Sequence, residues 1–281
     1  MAKSLLGTGF NYAFAPTVAV SHNFQWGRHY ETMGADPEWI EKYAAAFVEG
    51  TQAYDSESQT YRGVLSSTKH FLGDGATWWG VDEGNATVYN YHTFLKHNYG
   101  GYKGAIDSCT GNVMSSYSAI NRIPMAANAE LLQGVLKEGM FEGKPFDGFI
   151  ISDYDEIGRL ASQGWPTTNI KMTNREAIAL MINSGVDMTM LASTHPDVTV
   201  EYYQSTLKSL VEENLVNIDR INDAVFRILT VKAAYGLINL PQPTKDTEFT
   251  NEEFTSQRIG YLEETNPSEF QNAWEAALDS A

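Results

Sequence analysis

Cysteine is almost missing: Cys109 is the only one in 281 residues, so no intrachain disulfide and no thiolate metal cluster can be built from this sequence. Cations are scarce too, with 19 lysines and arginines against 35 aspartates and glutamates, a formal charge of −16. No basic run occurs, so nucleic acid, whose binding rests on clustered cations, is not an expected partner. An anionic membrane surface is disfavoured on the same ground. No stretch approaches the roughly 18 consecutive apolar residues of a membrane span. Near the N-terminus Lys3 precedes a loosely apolar run, but Gly7, Gly9, Asn11 and Tyr12 interrupt it. A buried strand is therefore expected within residues 1–20 rather than a signal peptide. His22, His29, His92, His97 and His195 show no ligand spacing with carboxylates, and no metal or other cofactor is expected.

What is present points to a folded enzyme-sized unit. Apolar residues make up 43%, charged residues 19%, and there are 6 Trp, 15 Tyr and 13 Phe, far from the composition of a disordered chain. The length fits two domains or one α/β barrel. Short β-branched runs alternate with helical periodicity, the pattern of βα units around a parallel sheet. Strands are expected at 12–20, 64–68, 112–117, 148–152 and 186–190. Asp36-Pro37 opens a helix with Ile40, Tyr43, Ala44, Phe47 and Val48 on one face. Leu131, Leu132, Val135 and Leu136 mark another helix, and Thr173 with Glu176 makes a capping box. Two more are expected around 200–211 and from Asp219 to a stop at Gly236. Residues 239–266, with Pro241 and Pro243, read as a linker before a final helix around Phe270, Trp274 and Leu278. Five strands are visible where a closed (β/α)8 barrel has eight, so either the sheet is open or the barrel is incomplete.

In such folds the reactive side chains sit just past the carboxyl ends of the strands. Those positions hold Trp26-Gly27-Arg28, Lys69-His70, Met114 and Tyr117, and Ser152-Asp153-Tyr154. Aromatic faces, cations and a carboxylate on one rim suit a sugar: rings pack on its apolar faces and Arg, Lys and His donate to its hydroxyls. A carboxylate there can attack an anomeric carbon. Residue chemistry alone also leaves open a keto acid or a phosphorylated substrate.

The blocks Ala15-Pro16, Trp26-Gly27-Arg28, Lys69-His70-Phe71 with Gly73-Asp74-Gly75, Met114-Ser115-Ser116-Tyr117, Ser152-Asp153-Tyr154 and Gly185-Val186-Asp187-Met188 stand in the order of the motifs of glycoside hydrolase family 3, which the sequence resembles from about Gly9 to Leu237. The resemblance implies a (β/α)8 barrel over residues 1–238, here incomplete, with 239–281 leading toward a second domain. It implies an exo-acting β-glucosidase or β-glucan exohydrolase that works by retention through a covalent glycosyl-enzyme. Asp153 takes the place of the nucleophile. Arg28, Lys69 and His70 take the places of groups that bond the terminal sugar, with Met114 and Tyr117 lining that subsite and Tyr154 where many members carry Trp. The implied partner is a β-glucoside or β-glucan oligosaccharide, and the family suggests a secreted or periplasmic setting. An incomplete barrel leaves strand edges unpaired, so a complementing chain or domain is expected. The family's early sugar-holding Asp and its acid/base have no evident counterpart; the loop after Lys69-His70 offers Asp74, Asp82 and Glu83. A pseudoenzyme that binds sugar without an acid/base is the alternative.

Each residue also has a plainer reading. Asp153 could cap a helix after a strand. Lys69 and His70 could be a buried ion-pair element and a satisfied core histidine. Arg28 with Glu31 could be a local ion pair, and Trp26 could be core. Gly73-Asp74-Gly75 lacks the spacing of a phosphate loop and reads as a tight turn. Trp78 and Trp79 are either packing or an outer sugar platform. Cys109, at a helix end, reads as a small buried hydrophobe.

Overall fold

The computed structural model describes residues 1–57, 60–162, 172–192 and 197–238. The linker at 239–266, the helix expected after it and His195 lie outside the described residues. Strands β1 (Tyr12–Ala13), β2 (Leu65–Phe71), β3 (Asn112–Ser115) and β4 (Phe149–Ile151) form one parallel sheet in that order. The register pairs Tyr12 with Leu65, Thr68 with Val113, and Val113 with Ile150. Bridges at Thr17–Lys69 and Ile151–Met188 extend the sheet at both ends. Segment 186–190 is thus the fifth strand position, held by a single bridge.

Helices α2 (Pro37–Gln52), α3 (Tyr91–Asn98), α4 (Gly100–Asp107), α5 (Glu156–Ser162), α6 (Asn174–Ser184), α7 (Val200–Glu212) and α8 (Ile218–Ala234) alternate with the strands. Asp36 caps α2, its carboxylate accepting the Glu38 and Trp39 amides, and Thr173 with Glu176 closes the expected capping box on α6. The helix between β3 and β4, Glu130–Lys137, winds with the wider π pitch, a form that sequence periodicity does not distinguish from α.

Because side chains alternate along a strand, the sheet has two different faces. Val113 and Ile150 pack outward with Ile40, Ala44, Tyr102 and Ile178 in the main core. Leu65, Met114, Phe149 and Ile151 point the other way, into a second cluster closed by Val231 and Tyr235. Helices α2 and α4 approach so closely that a Cβ on Gly104 would lie 2.2 Å from the Glu41 carbonyl oxygen; only glycine fits there.

Two expectations are corrected. The N-terminal segment is not one strand: Ala2–Gly7 is a short helix α1, stopped at Gly9 with φ +83°, and only Tyr12–Ala13 pairs regularly. Ser4, Leu5 and Leu6 continue into the first turn, and their carbonyls are taken up by the Thr8 and Gly9 amides and the Thr8 hydroxyl. Cys109 is exposed rather than buried. It sits at φ +61° in the reversal between α4 and β3, where its carbonyl accepts Gln52 Nε2 at 2.8 Å and its side chain is left outside.

Asp187 ties α8 to the sheet. Its fully buried carboxylate accepts Lys137 Nζ at 2.7 Å, the Ile150 amide at 2.8 Å and Arg220 Nη2. Lys137 and Arg220 also share Asp223. Removing one member of a buried pair leaves an uncompensated charge. Asp187→Ala is therefore expected to lower unfolding free energy by about 3–5 kcal/mol, read as a lower urea midpoint at unchanged m-value. A loss under about 1 kcal/mol would show that the network contributes little.

Candidate active site

Strand β2 leaves its regular pairing with β3 between Thr68 and Phe71 and turns through Gly73, whose φ is +92°. The turn places Asp74 beside the His70 ring, four residues on. Asp74 Oδ2 lies 2.8 Å from His70 Nδ1, while Oδ1 accepts the Ser116 hydroxyl and, at 3.5 Å, that of Ser118. Tyr102 donates to the His70 carbonyl at 2.6 Å. All of these groups are buried, so the ring is fixed from both ends of the residue. A Cβ on Gly75 would sit 2.1 Å from the Val20 carbonyl oxygen, so glycine is required for this turn to seat against the first strand segment.

The other ring nitrogen, Nε2, faces Asp153 Oδ2 at 3.6 Å, beyond hydrogen-bond range. Asp153 follows β4, and its side chain is 14% exposed. Its Oδ1 accepts the Tyr154 amide at 2.7 Å. The helix that follows is not capped by this carboxylate: the first turn of α5 is closed by the Asp155 carbonyl, which takes the Arg159 amide at 3.0 Å. Ser152 Oγ accepts the Met190 amide and donates to the Asp153 carbonyl, both at 2.9 Å, which locks this corner to the fifth strand position.

Two cations stand on the same side. Arg28 makes a two-point pair with Glu31, Nε–Oε1 at 2.7 Å and Nη2–Oε2 at 2.8 Å, and its pKa is raised, first by those bonds. The Lys69 pKa is lowered by burial and then by Arg28, against the opposing pull of Glu31, Asp153 and Asp74. Its ammonium is therefore held at a cost next to the carboxylate.

On the far side Tyr117 donates to the Tyr154 carbonyl, and the Arg159 guanidinium lies 3.8 Å from the centre of the Tyr117 ring while pairing with Glu83. Tyr154 itself is 45% exposed. Glu156, on the first turn of α5, is fully buried with no hydrogen-bond partner on either oxygen among the described residues. Burial, then the charge of Asp153, pushes its pKa well above the ordinary carboxyl range.

The structure gathers Asp153, His70, Lys69, Tyr117 and Tyr154 on one rim, with Arg28 reaching Lys69 electrostatically. Met114 lies lower, buried among Leu65, Phe149 and Ile151 on the inner face. Trp26 is core, its indole N–H donating to Asp82 at 2.9 Å. Sequence reasoning offers Asp74 only as one acid of the loop after Lys69-His70 and leaves Ser116 and Glu156 without a role. Four-residue spacing from His70 is a visible signal for Asp74; nothing local marks Glu156 as buried.

Comparisons with known proteins show the family and the fold. The glycosyl hydrolase family 3 N-terminal domain model matches residues 1–231. A β-xylosidase of Formosa agariphila is 28% identical over 88% of this chain and 33% of its own length. A periplasmic β-glucosidase of Salmonella typhimurium is 28% identical over 83% of this chain and 28% of its own. The crystal structure of an exo-1,3/1,4-β-glucanase from a Pseudoalteromonas species superposes with a TM-score of 0.73 at 28% identity, over 96% of this chain and 30% of that one. The chain spans a third or less of the length of these relatives.

Lys69→Met removes the strained ammonium and keeps the stem. Folding stability is expected to rise by about 1 kcal/mol at neutral pH, read as a higher Tm. Because the folded pKa is lowered, the wild-type penalty is complete below that value and fades as pH rises toward the ordinary 10.5. The Tm gap should close in the alkaline range; a gap constant with pH would place its origin in packing instead.

Proposed function

This chain belongs to glycosyl hydrolase family 3, and on that premise we propose that it carries the sugar-binding, nucleophile-bearing part of a retaining, exo-acting β-glucosidase. The observation that carries the reading is Asp153 Oδ2 facing His70 Nε2 at 3.6 Å at the carboxyl ends of parallel strands of one sheet. The gap is too long for a bond, so neither group is committed to the other.

In this reading the terminal glucosyl unit sits over Asp153, with hydroxyls bonded by Lys69, His70 and Arg28. The Tyr117 ring borders the unit and Met114 supports the floor from below. Asp153 Oδ attacks the anomeric carbon; a C–O ester bond forms as the bond to the aglycone oxygen breaks. The departing oxygen takes a proton from a second carboxyl group, and water later cleaves the ester with net retention. Rigid bonding of His70 through Asp74 serves this step by holding the sugar in one attack geometry, since positioning supplies much of the barrier reduction. Glu31, bound at two points, keeps the Arg28 fork oriented. The neutral glucosyl unit also suits a chain of charge −16, which would repel an anionic sugar. A glucosyl rather than a xylosyl unit is chosen on the likeness to the exo-glucanase, which covers nearly the whole chain.

The test is intact mass after incubation with a 2-deoxy-2-fluoro-β-glucoside bearing a dinitrophenolate leaving group, which departs without protonation. A single glycosyl adduct is expected on the wild type and none on Asp153→Ala. Folded wild type without an adduct, or an adduct that survives in Asp153→Ala, would sink the assignment. The matching xyloside should label more slowly; faster labelling would move the substrate class to xylosides.

A further inference from the structure

The loop that follows β2 presents two adjacent tryptophans to solvent. Trp78 is 64% and Trp79 70% exposed, with ring centroids 5.9 Å apart and planes at 88°. Indoles are large apolar surfaces that chains normally bury, yet the loop is built to hold these two outward. Trp79 sits in the left-handed region at φ 58°, ψ 13°, a conformation costly for a bulky side chain. Thr77 Oγ1 closes the loop on the Val81 carbonyl at 2.7 Å. Asp82 is anchored on the buried Trp26 indole at 2.9 Å, and Glu83 pairs with Arg159, which stacks on Tyr117. A Cβ on Gly80 would lie 2.8 Å from the Trp26 amide nitrogen. Tyr117, which feels the charge of Asp153, is thus linked through Arg159 and Glu83 to the base of the tryptophan pair, and the two acids nearest to the pair in the chain are engaged by protein groups.

We propose that Trp78 and Trp79 form an outer binding site for the leaving-group side of a β-1,3-linked glucan chain. This deepens the glucosidase reading and rests on it for the identity of the sugar. With 64% and 70% of their surface exposed, the two indoles present apolar surface on which a pyranose ring can pack. A β-1,4 chain is a flat ribbon whose ring faces lie in common planes, and two indoles at 88° cannot both lie against it. A β-1,3 chain turns from one residue to the next and can meet both. The exposed Tyr154, whose carbonyl is held by Tyr117, connects through Tyr117, Arg159 and Glu83 to the loop that carries the pair.

Isothermal titration of the full chain with laminarihexaose, cellohexaose and glucose tests the proposal on wild type, Trp78→Ala and Trp79→Asn. Asparagine accepts the left-handed backbone, so the second variant removes the ring without adding strain. Laminarihexaose affinity is expected to fall about tenfold in both variants, glucose affinity to stay unchanged, and cellohexaose affinity to fall in one variant at most. Unchanged laminarihexaose affinity in either variant, or equal losses for cellohexaose in both, overturns the proposal. Failure of wild type to bind glucose counts against the Asp153 site instead, and the hexaose comparison still judges the tryptophan pair by itself.

Discussion

The geometry of the rim depends on one buried carboxylate. Asp74 is bonded to His70 from β2 and to Ser116 and Ser118 beyond β3, so a single side chain sets the ring orientation and joins the ends of two strands. The bonds are paired and buried, where a hydrogen bond is electrostatically stronger and an unpaired group expensive. If His70 turned, Asp74 Oδ2 would lose its ring partner, and without Asp74 the ring and two serine hydroxyls would each lose an acceptor. The 3.6 Å approach of His70 to Asp153 follows from this fixation together with the parallel register that sets β2, β3 and β4 side by side.

The ionic groups fall into two kinds. Away from the rim, Asp187 is saturated by Lys137, Arg220 and a backbone amide, and the charges around it answer a structural need. At the rim the pairing is incomplete. Lys69 is held with its proton affinity reduced, and Glu156 is buried with no partner among the described residues. Burial and then the charge of Asp153 raise the proton affinity of Glu156, so a second negative charge at this corner is disfavoured. Groups with perturbed proton affinity gathered at a rim are the kind of arrangement common at functional sites.

Much of the scaffold is legible in the sequence. The strand positions at 64–68, 112–117 and 148–152, the Asp36 cap and the Thr173–Glu176 box are local patterns, and each appears with shifts of a few residues at its ends. The motif blocks locate the rim. What stays hidden depends on tertiary placement. Whether 2–7 coils or extends is decided by carbonyl partners in the turn at Thr8–Gly9, whether Cys109 is buried by a left-handed reversal, and whether 130–137 is α or π by its packing. Glu156 reads in sequence as an ordinary acid of a helix first turn; only the fold puts it inside.

Several departures from local rules lie on the face that carries Asp153, and others lie elsewhere, such as Cys109 in left-handed backbone between α4 and β3. A tryptophan in left-handed backbone, two exposed indoles, a half-buried ammonium and an orphaned carboxyl all lie past the carboxyl ends of the strands. Each conflicts with the preference that would make a stable fold by itself, and a sequence under selection for stability alone would remove them at little structural cost. Away from that face Gly104 permits close helix packing, and Arg227 satisfies the Phe146 and Gly148 carbonyls at the entry to β4. On the proposed reading, a ligand that meets the Asp153 face would engage the exposed indoles and the carboxylate found there.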